Sequence, residues 1–254
     1  MEKNRQIGPL AGKRVVITRA KEQAGSFAEL LRAEGAVPVL FPTIAFAPVD
    51  PPEGWVKWLD RADMVIFTSS NGVKFFLELL EKNGLPFPDR VKVVAIGPGT
   101  RRAAEKRGIR VDIVPERFIA EGILEVLGDV SGRHILIPRA RVARELLPEE
   151  LSRRGAAVYV LPVYETVVPE PDESSVEDLF RCHAITFTSP STVENFVKIL
   201  KHKALELCAS RVVASIGPIT TKRAEELGIR VDVTASEHSV EGLLEALKEH
   251  FLSG

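Results

Sequence analysis

The chain repeats itself at one constant interval of 120 positions, and that repeat constrains its fold more than any other feature. Ile17-Thr18-Arg19-Ala20 returns as Ile137-Pro138-Arg139-Ala140, and Phe67-Thr68-Ser69 as Phe187-Thr188-Ser189. Ile96-Gly97-Pro98-Gly99-Thr100 returns as Ile216-Gly217-Pro218-Ile219-Thr220. Gly108-Ile109-Arg110-Val111-Asp112 returns as Gly228-Ile229-Arg230-Val231-Asp232, and Glu121-Gly122 as Glu241-Gly242. Separate blocks sharing one offset imply two copies of one unit, and a cleft between two such units is a natural place for a ligand.

The apolar runs are short and rich in β-branched residues: Val15–Thr18, Val37–Phe41, Met64–Phe67, Val91–Ile96 and Val111–Val114. Helix-period stretches separate them at Gln23–Ala33, Val73–Glu81, Thr100–Lys106 and Ala120–Leu127. The second copy reads the same way, with strands expected at Ile135–Pro138, Ala157–Leu161, Ala184–Phe187, Val212–Ile216 and Val231–Thr234. Alternating strands and helices predict an α/β fold of two similar flavodoxin-like or Rossmann-like parallel-sheet domains. Prolines cluster inside each copy, at Pro42, Pro48, Pro51 and Pro52 and at Pro162, Pro169 and Pro171. Proline suits edge and linker conformations. The chain is therefore expected to cross between domains at 43–52 and 162–171, a two-stranded hinge. One domain would hold 1–42 plus 172–254 and the other 53–161. Such a hinge predicts variable closure. Ordinary surface loops in a simple tandem are the plainer reading of the same prolines.

At 254 residues the chain suits two domains of ordinary size, each with its own core. A formal net charge of −1 provides no global field for nucleic acid or membrane. The charged N-terminal segment Met1–Gln6 lacks the apolar core of a signal peptide, and no apolar run approaches a membrane span. Cys182 and Cys208 form no metal or redox pattern. A cytoplasmic protein is expected.

Each copy places the same polar groups just after a strand, the edge of a parallel sheet that faces a ligand crevice. Gly97, Pro98, Gly99 and Thr100, like Gly217, Pro218, Ile219 and Thr220, follow a strand and open a helix. Glycine would permit a tight turn, proline suits the first helical position, and free N–H groups there favour an anion. Ser69, Ser70 and Asn71, with Ser189 and Ser191, add hydroxyls and an amide. Plain helix capping explains any one of these residues as well. Arg19 follows the first strand of one copy; Arg139, Arg141 and Arg144 follow that of the other. They could grip a carboxylate or merely solvate a helix start. Tyr164, in Pro162-Val163-Tyr164-Glu165-Thr166, breaks the symmetry, because its counterpart is Ile44. It could donate a proton into a cleft or pack at a domain edge. There is no P-loop, no full dinucleotide fingerprint and no histidine metal spacing. A cofactor-free protein that recognises an anionic ligand is the simplest summary.

These blocks, in this order, resemble the uroporphyrinogen-III synthase family from about Gly12 to Leu247. The resemblance implies cyclisation of hydroxymethylbilane with loss of water and inversion of ring D through a spiro intermediate. Unaided closure gives the type I isomer, so the enzyme's task is to fold the substrate. The resemblance also implies a soluble monomer without cofactor or metal, and a transient hand-over of substrate from hydroxymethylbilane synthase is compatible with it. It casts Tyr164 as the residue that assists departure of the hydroxyl, since a phenol is protonated at neutral pH. It places Thr100 and Thr220 at the cleft, and the strand-end residues read above, Arg19, Arg139, Ser69, Ser70, Asn71, Gly97, Ser189, Ser191 and Gly217, could hold the carboxylates of such a substrate. Competing readings are a non-catalytic two-domain module that binds a polycarboxylate, and a glycosyltransferase, which would need a nucleotide-sugar site not found here.

Overall fold

The structure, a computed structural model, describes residues 8–253; the Met1–Gln6 segment lies outside them. The elements run β1 (Arg14–Ile17), α1 (Gly25–Ala33), β2 (Val37–Leu40), β3 (Ala45–Pro48), α2 (Trp55–Arg61), β4 (Met64–Phe67) and α3 (Ser70–Lys82). There follow β5 (Lys92–Ala95), α4 (Pro98–Glu105), α5 (Ala120–Val126), β6 (His134–Ala140), α6 (Leu146–Arg153) and β7 (Ala157–Val167). The last third holds α7 (Glu173–Leu179), β8 (Ala184–Phe187), α8 (Pro190–Leu200), α9 (His202–Ala209), β9 (Val212–Ser215), α10 (Pro218–Glu226), β10 (Val233–Thr234) and α11 (Val240–Ser253).

Two compact units divide the chain, and the fold is α/β with parallel sheets. One unit runs to Ala45 and resumes at Val167; the other is Phe46–Thr166. The first holds a sheet in the order β2-β1-β8-β9-β10, all its pairings parallel. This is the 2-1-3-4-5 order of a doubly wound sheet. The second holds β3-β7-β6-β4-β5. Its parallel run β7-β6-β4-β5 reaches the same spatial order from a different starting point in the chain, and β3 is added at the edge. Residues 45–48 of the expected linker are thus strand, and β7 carries through most of 162–171 as strand.

The cores follow from side-chain alternation. Every residue of β4 and β8 is buried, as expected of strands covered on both faces. Val65 and Phe67 enter one cluster with Phe75, Phe76 and Leu161, whereas Met64 and Ile66 enter another with Ile123, Ile137 and Leu151. In the first unit Ile185 and Phe187 pack with Phe196 on one face, and Val15, Ile17 and Phe27 fill the other. Phe187 meets Phe196 edge-on at 5.2 Å. Truncating so enclosed a ring costs about 3–5 kcal/mol.

The expected strand 111–114 is instead a single parallel bridge between Val94 and Ile113. The reason is Asp112, whose carboxylate accepts from the Val93 N–H at 2.8 Å in place of a ladder partner. Asp232 does the same to the Val213 N–H at 2.9 Å, and the strand expected at 231–234 shortens to β10. The repeated Gly-Ile-Arg-Val-Asp block is therefore a structural device. Gly108 and Gly228 take positive φ, of 79° and 81°, where their helices end. Ile109 and Ile229 are buried, and the aspartates tie off the sheet edge. Likewise, a Cβ at Gly122 or Gly242 would run into the carbonyl of Arg117 or Glu237.

Candidate functional site

In an open parallel sheet the ligand crevice lies beyond the strand C-termini, where the strand order reverses. That point falls between β1 and β8 in the first unit and between β6 and β4 in the second. Thr18-Arg19 and Thr188-Ser189 lie just past the strand ends there in one unit; in the other, Arg139-Ala140 close β6 and Thr68-Ser69 follow β4.

Tyr164 belongs to the second unit and stands level with Ala140 in the β6–β7 register. It is 7% exposed. Its ring stacks on Phe75 at 5.3 Å and meets Phe46 edge-on at 5.7 Å. Its hydroxyl lies 3.1 Å from Ser69 Oγ. Ser69 is the N-cap of α3, and its Oγ accepts from the Gly72 N–H at 2.9 Å. With that lone pair used, Ser69 can still donate its own proton to Tyr164, which leaves the phenol proton free for another acceptor. Ser70 opens α3 in an exposed position and Asn71 follows it, half-buried. Gly72 matters for space: a Cβ there would sit 2.8 Å from the Pro138 carbonyl.

Ser189 caps α8 through the Thr192 N–H at 3.3 Å, completes a capping box, and pairs with the exposed Ser191 at 2.9 Å. No tyrosine stands beside it, since residue 44 is isoleucine. Three buried threonines that sequence reasoning did not single out brace this edge. Thr18 donates to the Thr186 carbonyl at 2.7 Å, Thr186 to that of Val16 at 2.6 Å, and Thr43 to that of Thr18 at 3.0 Å. Arg19, half-buried, makes no ion pair among the described residues.

Gly97 and Gly217 are the N-caps of α4 and α10, each followed by proline. Their φ values, −171° and 172°, are extended backbone open to any residue, so the expected turn requirement does not hold. What glycine supplies is room: a Cβ would lie 3.2 Å from the Phe118 side chain or 2.8 Å from the His238 ring. Phe118 and His238 are themselves 120 positions apart, and neither was singled out in the sequence. Thr100 and Thr220 are buried in the first turns of their helices.

Arg139 is the largest departure from the sequence picture. It was expected to follow the strand, as a carboxylate contact or a solvated helix start, yet it lies within β6 and is only 5% exposed. One terminal nitrogen donates to the Arg144 carbonyl at 2.9 Å and the other pairs with Glu145, while Nε is buried without a partner. Arg139 lines a cavity of about 280 Å³ at the switch point of the second unit, with Thr68, Ile96, Phe118, Ile137 and Leu147 among its walls. Larger clefts open at the opposite, strand-start ends of both sheets, around Arg90 and Arg110 and around Arg211 and Arg230. Strand-end position favours the smaller cavity as the ligand site. Among the described residues, no group of three or more His, Cys, Asp or Glu side chains is disposed as a metal site, and no helix is long and apolar enough to cross a membrane.

The family model described as uroporphyrinogen-III synthase HemD matches residues 25–245. A uroporphyrinogen-III synthase of Synechococcus elongatus is 33% identical over 259 aligned positions, covering 95% of this chain and 96% of that protein. One from Chlorobaculum parvum is also 33% identical, covering 87% and 92%. The crystal structure of the Helicobacter pylori uroporphyrinogen-III synthetase shares the fold, with a TM-score of 0.59 at 20% identity over 92% of this chain and 97% of that one. The family model takes in parts of both units, with the strand-end blocks at 68–69, 97–100, 139–140, 188–189 and 217–220, and the chain belongs to the uroporphyrinogen-III synthase family of cyclising lyases in tetrapyrrole biosynthesis.

Proposed function

We propose that the protein closes hydroxymethylbilane to uroporphyrinogen III by folding the linear chain so that ring D attacks through its substituted carbon. The observation that carries the residue-level reading is the Ser69–Tyr164 pair at a strand end of the second unit. Loss of the hydroxymethyl oxygen as water needs a proton, and a phenol held by a serine that already accepts a backbone N–H can deliver it. The flanking Phe75 and Phe46 rings hold the phenol in one orientation. After transfer, a proton from Ser69 Oγ would stabilise the phenolate oxygen.

The substrate's eight carboxylates require many donors and no metal. In this reading the first-turn N–H groups of α3 and α4 and those of α8 and α10 meet several of them, with Ser70, Asn71, Thr100, Ser191, Thr220 and Arg19 alongside. The two units are inferred to be copies of one ancestral unit whose halves are exchanged, linked at 43–52 and 162–171. Loss of symmetry at Tyr164 then suits an asymmetric substrate, whose two ends must be told apart. A monomer that works in the cytoplasm and takes its unstable substrate from hydroxymethylbilane synthase completes the proposal.

Tyr164→Phe tests it in an assay fed with hydroxymethylbilane, with the porphyrin isomers separated after oxidation. The variant should form type III isomer about 10–100-fold more slowly, while type III still exceeds type I at high enzyme concentration, because folding of the bilane survives. An unchanged rate would remove Tyr164 from the proton-transfer role.

A further inference from the structure

Arg139 poses a problem that the reaction outlined above leaves unsolved. A guanidinium this deeply buried needs partners, and leaving one donor unmet is costly. Two of its nitrogens are engaged and Nε is not. Among the described residues its one carboxylate partner is Glu145, 56% exposed at the start of α6, so it can swing into water with little loss. The cavity beside them is mostly apolar: Ile96, Ile137 and Leu147 form walls, and the Phe118 ring, 56% exposed, stands among them. At about 280 Å³ it lies below the range of about 300–1,000 Å³ that holds drug-sized ligands. One small ring with short arms fits it; four linked rings do not.

We propose that this cavity seats a single pyrrole ring of the substrate and that Arg139 takes the carboxylate of one of that ring's arms, with Glu145 as the resident stand-in that the arm displaces. The exchange replaces one carboxylate by another on a buried cation, so no unpaired charge is created. Nε and a terminal nitrogen then offer the bidentate edge that a carboxylate fits. The ring's faces lie against aliphatic and aromatic walls. The equivalent positions of the other unit do not reproduce this seat: the counterpart of Glu145 is Gly25, that of Phe118 is His238, and Arg19 is only half-buried. Register ties the seat to the chemistry: Arg139 lies opposite Pro162, one step before the Ala140–Tyr164 pair, and Thr68 on the cavity wall precedes Ser69. A ring held here fixes one part of the bilane relative to the Tyr164 hydroxyl, which makes Arg139 a specificity-determining residue. The identity of the ligand rests on the synthase reading; the seat for a carboxylate-bearing ring does not.

The probe is porphobilinogen, a single pyrrole with an acetate and a propionate arm, titrated into the full-length ¹⁵N-labelled protein. Amide shifts should cluster at 118–120 and 143–145. Ala143→Trp, at an exposed position on the cavity rim, should weaken binding by at least about tenfold by filling the space. Glu145→Gln should tighten it by about two- to fivefold by freeing the guanidinium. Arg139→Lys should weaken it, but that buried change can perturb folding, so the decision rests on the other two. Absence of shifts at these amides, binding that ignores Ala143→Trp, or weaker binding in Glu145→Gln would each overturn the assignment. Isomer analysis of the same protein preparations, separately fed with hydroxymethylbilane, distinguishes the two claims. Type III product without porphobilinogen binding sinks the seat and spares the synthase reading. Type I product alone sinks that reading, while shifts at these amides would still uphold the seat.

Discussion

Ser69 and Ser189 cap equivalent helices, but only Ser69 also holds a phenol. Alanine at either position should lower stability by about 1 kcal/mol in chemical denaturation, the ordinary worth of a lost N-cap. Only Ser69→Ala should be coupled to Tyr164: in a double-mutant cycle with Tyr164→Phe, the two losses in type III rate should fail to add. Additive losses would mean that the pair does not act together. The glycines divide in the same way. Gly122→Ala drives a methyl into a backbone carbonyl that cannot move aside and should cost about 1–3 kcal/mol. Gly217→Ala meets the exposed His238 ring, which can swing away, and should cost less than about 1 kcal/mol. Equal losses at the two sites would contradict this distinction. Tyr164 was legible because it breaks a repeat. Arg139 was named from the sequence, but its burial and its tie to Glu145 were not legible, because both depend on how α6 is seated. The role of Gly97 was misjudged because a sequence signals glycine without saying whether torsion or space demands it.

At the scale of the element, Asp172 caps α7 by accepting from the Ser175 N–H at 2.7 Å. That bond, followed by the hydroxyls of Ser175 and Ser174, holds its carboxyl below the usual carboxylate range. The ionised cap therefore contributes stability above that range, which is lost as pH falls through the lowered folded-state value. Asp172→Asn should flatten the acid limb of the Tm–pH profile, and an unchanged limb would deny the cap that role. In α9, burial and then the nearby Asp232 push the Cys208 thiol up to about 12. The stability of the neutral buried thiol is present below the ordinary thiol value and disappears as pH rises toward 12. Cys208 should resist thiol reagents at mildly alkaline pH until the protein unfolds; labelling of the native protein at the rate of a free thiol would show that α9 opens locally. Element positions were largely legible, because β4 and β8 are buried on both faces and read as continuous apolar runs. Strand ends were not: Asp112 and Asp232 spend their carboxylates on backbone N–H groups, and no hydrophobic pattern encodes that.

For the whole molecule, the repeat carried most of the information. A constant offset implied one fold used twice, and the proline clusters argued that the chain changes units inside each copy. What no sequence pattern carries is which strand-end groups converge, since that depends on sheet order as well as on position along the chain. The central claim concerns an outcome of folding the substrate, so the most direct measurement is the isomer ratio. Porphobilinogen and hydroxymethylbilane synthase are incubated with and without this protein, and the oxidised porphyrins are separated. Predominantly type III isomer in its presence, against type I in its absence, is the predicted result; type I in both, from folded protein, would contradict the account.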